Sequence, residues 1–251
     1  MKAMIFAAGL GTRLKPITDD RPKALAEIHG TPLLEIVIRR LINFGFNEII
    51  VNVHHFADRV LDFLDSKNNF GIDLHISDER DELLDTGGGL KKASWFFDDN
   101  KPFLVHNVDT LTDIDLVDYY DFHTRSKALA TLLVRHRSGS RFFLFDAAKR
   151  LCGWENIVAQ EKILATKNEN NLERIAFSCL HIIHPGIFDL MDETGRFSII
   201  DVYLRLADSQ PIYGYVDDRS YWLDVGTPEK LARGEKEIEV EKLIGRSRRS
   251  K

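Results

Sequence analysis

The chain has 251 residues, of which 44% are hydrophobic, and it carries a formal net charge of −5. This length and composition are sufficient for a buried core and fit one large α/β domain. The acidic balance argues against a protein that binds nucleic acid or an anionic membrane surface, and no apolar run approaches the ~18 residues of a membrane span. The two cysteines, Cys152 and Cys179, are expected to be buried reduced thiols, and we expect a cytoplasmic location.

Short β-rich segments alternate with helical patterns through the first half of the chain. Strands are predicted for residues 1–6, 47–53, 72–77, 102–107 and 128–134. Helices are predicted for residues 33–44, 58–64, 91–97 and 116–123. Thr31 and Pro32 are typical of an N-cap and of the first helical position, so they predict the start of the first helix.

The pattern changes after Val134. A hairpin about a polar turn is predicted at 141–154, and strands at 176–185, 211–216 and 220–225. Two further helix starts can be read from the sequence. Ser198 is predicted to cap a helix over 199–208, and Thr227 with Pro228 to open a charged helix that ends near Leu243.

These elements predict an α/β fold with a mainly parallel sheet, helices on both faces and a small antiparallel portion in the second half. The chain has no Pro/Ser-rich linker and no internal repeat. We therefore expect a single domain over residues 1–244, followed by a flexible basic tail at 245–251.

The segment FAAGLGTRLKPITDDRPKAL, residues 6–25, follows the first strand and gathers small residues with cations. Its spacing misses the Walker A pattern, and it lacks the third glycine of the dinucleotide fingerprint. Small side chains let backbone N–H groups approach an anion closely, and arginine can bind two phosphate oxygens at once. The segment therefore predicts a phosphate site, with backbone contacts and charges from Ala7, Ala8, Gly9, Gly11, Arg13, Lys15 and Lys23.

The ordered segments AAGLGTRLKPIT, RPKAL and GTPLL resemble the signature of the sugar-1-phosphate nucleotidyltransferases, and the resemblance extends over roughly residues 1–235. It implies a Rossmann-like fold and a reaction in which an NTP and a sugar 1-phosphate give an NDP-sugar and pyrophosphate, with Mg2+ as cofactor. It also implies that Arg13 and Lys23 act in catalysis and that Thr12 joins them in binding the nucleotide.

Two aspartates are candidates for the metal. Asp109 follows the fourth strand, where open α/β sheets bind ligands, and Asn107-Val108-Asp109 resembles the family's N-G-D pattern, with Asn107 expected at the nucleotide. Asp224 lies in YWLDVGTPEKL, which resembles the family's W-x-D-V-G-T-P segment. The resemblance implies that both hold Mg2+, with Asp109 also catalytic. The alternatives are a loop cap for Asp109 and a buried salt bridge to a lysine for Asp224.

A second glycine-rich segment, DTGGGLKKA, is expected to meet the nucleobase through Asp85, Thr86, Gly87 and Gly88. Within the family it is most similar to the N-acetylmuramate-1-phosphate uridylyltransferases, which favours UTP. The alternative is a tight helix start without a ligand.

The sequence defines the binding site for the sugar phosphate less clearly. The family's Val-Glu-Lys-Pro segment is missing, and Cys179 stands where a glycine is common, so that its side chain would narrow the pocket. Structural roles are expected for the histidines His54, His55, His106, His123, His181 and His184.

Other functions remain open at this point. A mannose-1-phosphate guanylyltransferase is one, and a phosphocholine cytidylyltransferase is another, which an aromatic cluster near Asp224 would favour. That cluster would contain Trp154, Tyr203, Tyr213 and Trp222. A non-catalytic sugar-nucleotide sensor is the alternative outside enzymes.

The chain contains no hexapeptide repeat, so we expect nucleotidyl transfer alone. The expected partners are the NTP and the sugar 1-phosphate, with no nucleic acid and no membrane. A homo-oligomer is compatible with the sequence.

Overall fold

The computed structural model describes residues 1–167 and 171–245. The chain divides into two compact units, each assembled from separate stretches. Unit 1 contains Met1–Leu83, Val105–Val117 and the residues from Ser220 onwards, and unit 2 contains Leu84–Leu104 and Asp118–Arg219. The predicted tail lies outside the described residues except for Gly245, and the single domain over residues 1–244 stays a prediction.

The described residues form fourteen strands: β1 Lys2–Phe6, β2 Glu27–Ile28, β3 Thr31–Pro32, β4 Glu48–Val53, β5 Asp73–Asp78, β6 Phe103–Asn107, β7 Thr110–Thr112, β8 Ala130–Arg135, β9 Arg141–Phe145, β10 Leu151–Asn156, β11 Glu161–Leu164, β12 Glu173–Ile183, β13 Ile212–Val216 and β14 Trp222–Asp224.

They also form seven α-helices: α1 Leu33–Asn43, α2 Ala57–Ser66, α3 Asp85–Lys92, α4 Leu116–Ser126, α5 Ile199–Leu206, α6 Pro228–Glu237 and α7 Val240–Gly245. Short 3-10 helices occur at Thr12–Leu14, Lys23–Leu25, Asn68–Gly71, Ser94–Phe96 and Pro185–Leu190. None of the helices in residues 1–167 and 171–245 combines the length and the apolarity that crossing a membrane demands.

Unit 1 contains the parallel part of the fold. β1 pairs with β4 and β4 with β5, both in parallel, and α1 and α2 form the crossovers that parallel neighbours need. On the other side of β1 lies β6, whose residues from Val105 onwards belong to this unit. Almost every residue of β1 and β4 is buried, which is typical of strands in parallel sheets.

Unit 2 contains the antiparallel part. β9, β10 and β11 pair antiparallel, β12 pairs antiparallel with β8 and β9, and β13 runs parallel to β8. The turn of the predicted hairpin closes with Lys149 N donating to Asp146 O at 3.0 Å. The predicted mixed α/β fold is therefore confirmed. β11 was not predicted, because all four of its residues are exposed and show no apolar alternation.

Two predicted helix starts are confirmed and one is wrong. The Ser198 hydroxyl accepts a hydrogen bond from Ile200 N at 3.2 Å, and the Thr227 hydroxyl accepts one from Lys230 N at 3.4 Å. Thr31 is not an N-cap, because it pairs with Ile28 in the β2–β3 ladder. Pro32 takes the N-cap position of α1 without a side-chain hydrogen bond.

Two predicted helices end early. α6 stops at Glu237, because Ile238 is extended (φ −97°, ψ 125°) and buries its side chain, and α7 begins only at Val240. The prediction of one helix to Leu243 is therefore wrong. The helix predicted at 91–97 is α-helical only to Lys92, and a 3-10 turn follows.

The cysteines differ in burial. Cys152 is buried as expected, whereas Cys179 is only partly buried, which corrects the expectation for it. Cys179 has a φ of 62° and lies where the β12–β8 register shifts between Phe177 and His181. Such a φ strains most residues but not glycine, so a glycine would occupy this position without strain.

His106 and His123 are buried, and each has a hydrogen-bond partner. His106 Nδ1 lies 2.8 Å from Asn107 O, and His123 Nδ1 lies 2.9 Å from Thr131 Oγ1. Burial lowers the pKa of His106 to about 4, and burial together with the nearby His184 lowers the pKa of His123 to about 4. Both side chains are therefore neutral in the folded protein at neutral pH.

We expect the free energy of unfolding to fall as the pH is lowered from about 6.5 to about 4. In this window the unfolded chain takes up a proton at each histidine, whereas the folded chain does not. Each histidine contributes up to about 1.4 kcal/mol per pH unit. Urea unfolding between these limits measures the decline, and His123→Gln should make it shallower. An unchanged slope in that variant would contradict the buried neutral state of His123.

Candidate active site

The loop that follows β1 is fixed by contacts within itself. Gly11 has a φ of 68°, and a Cβ at this position would lie 2.9 Å from Thr18 Cγ2. The Thr18 hydroxyl donates to Gly11 O at 2.8 Å, and Leu14 is fully buried. These contacts anchor the 3-10 turn Thr12–Leu14, while the side chain of Arg13 is exposed.

Lys23 reaches the end of β6 from a second turn. Pro22 is extended and immediately precedes the 3-10 helix Lys23–Leu25. The Lys23 ammonium donates to Asp109 Oδ2, and only 15% and 12% of the two side chains are exposed. This ion pair joins the opening segment to the strand-end aspartate. Asn107, two residues before Asp109, is half-buried.

A two-stranded ladder brings Asp109 and Asp224 together. β7 pairs antiparallel with β14, and Asp224 lies opposite Thr110. Directly beyond that pair, Val225 N donates to Asp109 O at 2.9 Å. Two residues that are far apart in the sequence therefore lie at the same end of one ladder in unit 1.

The side chains converge on Gly226. A Cβ at Gly226 would lie 2.8 Å from Asp224 Oδ1, 3.3 Å from Asp109 Oδ2 and 3.2 Å from Arg13 Nη2. Two carboxylates and a guanidinium thus face one space, and the glycine keeps that space open.

Lys230 is a further cation of this site that the sequence analysis missed. Lys230 Nζ donates to Asp224 Oδ2 at 2.8 Å, and Gly226 N donates to Asp224 Oδ1 at 2.9 Å. The salt bridge that was the alternative for Asp224 therefore exists, while Oδ1 faces the space shared with Asp109. A signal was available, because Thr227 caps α6 and so places Lys230 in its first turn, beside the end of β14.

Asp224 is ionised at neutral pH. Burial pushes the pKa of its carboxyl up, but the hydrogen bond and charge of Lys230, the Gly226 amide and the charge of Lys23 outweigh burial. The pKa therefore lies below its ordinary value, and the carboxylate is available as a metal ligand.

The donor set suits a hard divalent cation. Asp109 and Asp224 supply carboxylate oxygens, and Mg2+ is typically held by one or two carboxylates together with substrate phosphates. Within residues 1–167 and 171–245, no group of three or more His, Cys, Asp and Glu side chains is arranged to hold a metal ion. The pair around Gly226 supplies two carboxylates, a number that Mg2+ commonly takes from a protein.

The first two amides of the loop bond within unit 1. Ala7 N and Ala8 N donate to Asn52 Oδ1 at 2.7 and 3.3 Å, and Asn52 Nδ2 donates to Glu79 Oε1 at 2.8 Å. Neither Asn52 nor Glu79 was predicted from the sequence, although an asparagine inside an apolar strand was a signal. Gly9 is exposed, and a Cβ there would meet nothing within 4 Å.

The predicted base-binding segment begins α3 in unit 2. Gly87 N and Gly88 N donate to Phe197 O at 2.9 and 3.3 Å. A Cβ at Gly87 would lie 2.4 Å from the Phe197 ring, and one at Gly88 would lie 2.3 Å from Gly195 O. Local packing therefore requires both glycines at this tight helix start, and their contact with the nucleobase stays a prediction.

The two residues before these glycines differ in their contacts. Thr86 Oγ1 accepts a hydrogen bond from Ile199 N at 3.0 Å, so its hydroxyl is engaged within unit 2. Asp85 is exposed, has a φ of 60° and accepts from Thr86 N. Asp85 is consequently the side chain of this segment that is open to solvent.

One member of the aromatic set cannot line a pocket. Tyr203 is fully buried, and its hydroxyl is hydrogen-bonded to His181. A trimethylammonium site would need exposed aromatic faces, so this burial removes Tyr203 from the pocket that a phosphocholine cytidylyltransferase would use.

The chain resembles known proteins along most of its length. A family model described as nucleotidyl transferase matches residues 2–241. The chain is 31% identical over 245 residues to an N-acetylmuramate alpha-1-phosphate uridylyltransferase of Caulobacter vibrioides, covering 92% of this chain and 94% of that protein. It is 32% identical over 231 residues to the protein of that name from Neisseria meningitidis, with coverages of 92% and 95%.

The fold has a similar solved structure. HddC from Yersinia pseudotuberculosis superposes with a TM-score of 0.77 at 22% identity, covering 95% of this chain and 99% of that one. The chain belongs to the nucleotidyl transferase family. The resemblance drawn from its motifs is thereby confirmed, as is the prediction of a sugar-1-phosphate nucleotidyltransferase.

If Asp109 and Asp224 hold one Mg2+, Asp109→Asn and Asp224→Asn should each remove most of the activity while leaving metal-free NTP binding nearly unchanged. The double variant should be little worse than either single variant, because the same metal cannot be lost twice. Steady-state rates with and without added Mg2+ and nucleotide titrations in EDTA measure both quantities.

Asp121→Asn is the matched control, because Asp121 is an exposed aspartate of unit 2 and should leave the rates unchanged. Multiplicative losses in the double variant would contradict a shared metal and leave Asp224 with its salt bridge to Lys230 alone.

Proposed function

We propose that the protein transfers a uridylyl group from UTP to N-acetylmuramate 1-phosphate and releases pyrophosphate, with Mg2+ as cofactor. The observation that carries this proposal is the convergence of Arg13, Asp109 and Asp224 around Gly226. With Mg2+ on the two carboxylates, such a set would bind a triphosphate and neutralise part of its charge. A cytoplasmic location belongs to the same proposal, because the nucleotide substrate is found there.

Two observations support uridine and the muramate acceptor. The segment Asp85–Gly89 is most similar to the glycine-rich segment of N-acetylmuramate-1-phosphate uridylyltransferases. The relatives from Caulobacter vibrioides and Neisseria meningitidis, both of which this chain covers almost end to end, have names that describe that reaction.

The reaction needs no covalent enzyme intermediate. An oxygen of the sugar phosphate attacks the α-phosphorus of the NTP, and a new P–O bond forms. The bond from the α-phosphorus to the oxygen that bridges to the β-phosphorus breaks, and pyrophosphate leaves with that electron pair. A phosphate monoester is already a nucleophile at neutral pH, so no general base is required. Catalysis then consists of holding two anions together and neutralising the charge that moves to the leaving group.

Each charged group has a part in that task. Arg13 and the amides of Gly9–Thr12 bind the β- and γ-phosphates. Lys23, which Asp109 holds in place, contacts both the nucleotide and the sugar phosphate. Asp109 and Asp224 bind Mg2+, which when bound supplies positive charge to the reacting phosphates. Lys230 keeps Asp224 ionised and oriented.

Pyrophosphate release across a grid of four NTPs and a panel of acceptors tests the proposal. We expect the highest kcat/KM with UTP and N-acetylmuramate 1-phosphate. Asp109→Asn should be inactive in every combination, which excludes a contaminating enzyme. Higher turnover of GTP with mannose 1-phosphate, or of CTP with phosphocholine, would overturn the proposal in favour of those transferases. Nucleotide binding without any turnover would favour a sensor.

Arg13→Ala should lower kcat/KM for the NTP about a hundredfold, because removing one charged donor to the leaving group costs about 3 kcal/mol. Arg21→Ala is the matched control in the same segment. Arg21 forms an ion pair with Asp20 at 3.0 Å, with 40% of its side chain accessible, and its loss should change kcat/KM less than about threefold. Equal effects of the two substitutions would contradict the role given to Arg13.

A further inference from the structure

Asn52 is a polar residue in a buried strand. It lies in β4 between Val51 and Val53, and 3% of its surface is exposed. In the parallel β1–β4 pair its register partner is Phe6, the last residue of β1. Buried polar side chains are kept where they have hydrogen-bond partners. Asn52 therefore lies beside the point where β1 ends and the opening loop begins.

One oxygen of Asn52 binds the first two amides of that loop. Ala7 N and Ala8 N donate to Asn52 Oδ1 at 2.7 and 3.3 Å, and the two alanines are 4% and 5% exposed. Without this oxygen both N–H groups would be buried without a partner, at a cost of about 1–3 kcal/mol each. Asn52 thus fixes the direction in which the chain leaves the sheet.

Glu79 determines which way the Asn52 amide faces. Glu79 is 0% exposed, its backbone N donates to Val53 O at 2.8 Å, and its Oε1 accepts from Asn52 Nδ2 at 2.8 Å. Because Oε1 accepts this hydrogen bond, the NH2 group of Asn52 faces Glu79 and its oxygen faces the loop. A neutral amide at position 79 could turn over and would not impose this orientation. Burying a carboxylate is costly, which indicates that the orientation matters.

We propose that Asn52 and Glu79 are positioning residues of the phosphate-binding loop. Neither touches the reacting atoms; both act through Ala7 and Ala8 on the following residues, Gly9 to Arg13. The inference rests on the proposed function, in which this loop binds the β- and γ-phosphates. Nucleotide binding would then depend on two buried residues behind the loop, Asn52 and Glu79, as well as on the loop itself.

Three variants test the pair: Asn52→Asp, Glu79→Gln and the two combined. Asn52→Asp sets a second carboxylate against Glu79 in a buried site, where like charges repel. We expect the dissociation constant for the NTP to rise by about tenfold or more, with kcat/KM for the NTP falling in parallel. The KM for the sugar phosphate should change less than about threefold, because the loop does not bind it.

The combined variant exchanges donor and acceptor. The new amide at position 79 donates to the new carboxylate at position 52, whose other oxygen still accepts from Ala7 N and Ala8 N. Net charge and shape are preserved, so NTP affinity should return to within about threefold of wild type. A combined variant that is as stable as wild type but binds NTP no better than Asn52→Asp would overturn the proposal.

Glu79→Gln alone preserves the shape of the side chain. It provides a second test that does not depend on whether Asn52→Asp folds. Hydrogen exchange of a peptide spanning residues 4–14, measured without nucleotide, should show the amides of Ala7 and Ala8 exchanging about tenfold faster in this variant, at an unchanged thermal midpoint. Wild-type exchange together with wild-type NTP affinity would overturn the proposal.

All constants are measured with the NTP that the wild-type protein prefers. A preference for a base other than uracil then refutes the proposed substrate without affecting the result for Asn52 and Glu79.

Discussion

Val225 donates its backbone N–H to the carbonyl of Asp109, and this bond marks where two distant stretches of the chain meet. The short β7–β14 ladder beside it fixes the register, so that Asp224 lies opposite Thr110 and its carboxylate faces that of Asp109. The parallel strands of unit 1 place the ends of β1 and β6, but only this ladder adds the second aspartate. The chemistry of the site thus depends on three backbone pairs and one hydrogen bond beyond them.

Charge pairing stabilises the cluster of charged side chains around Gly226. Asp109 is bonded to Lys23 and Asp224 to Lys230, so each carboxylate has a cation of its own. Neighbouring carboxylates without such partners would raise each other's pKa and lose their charge. Arg13 remains exposed at the rim of the shared space. An acidic protein thereby gathers a local group of cations beside its two carboxylates.

The sequence predicts this fold well wherever patterns are long. Apolar runs located β1, β4, β5 and β6, and side-chain caps located the starts of α5 and α6. The prediction fails where tertiary contacts determine the secondary structure of a segment. β7 has only three residues, too few for a pattern, and Thr31 is drawn into a strand pair that competes with its capping role. Ile238 interrupts a helical pattern because its side chain is buried.

The candidate site shows the same difference between residues marked by a local motif and residues brought in by tertiary contacts. Motifs gave Arg13, Lys23, Asp109 and Asp224, because loops and strand ends carry compact signatures. Lys230 became visible only once β14 and α6 were placed together. Asn52 and Glu79 are joined by the parallel pairing of β4 with its neighbours, which no local pattern specifies.

The helix start at Gly87 and Gly88 limits how this protein can diverge. Any side chain at either position meets Phe197 or the carbonyl of Gly195 before it could meet a ligand. Asp85, in front of them, is exposed, but its φ of 60° favours Asp, Asn and Gly over other residues. Crowding at the two glycines and backbone conformation at Asp85 therefore leave few residue types that this helix start can accept.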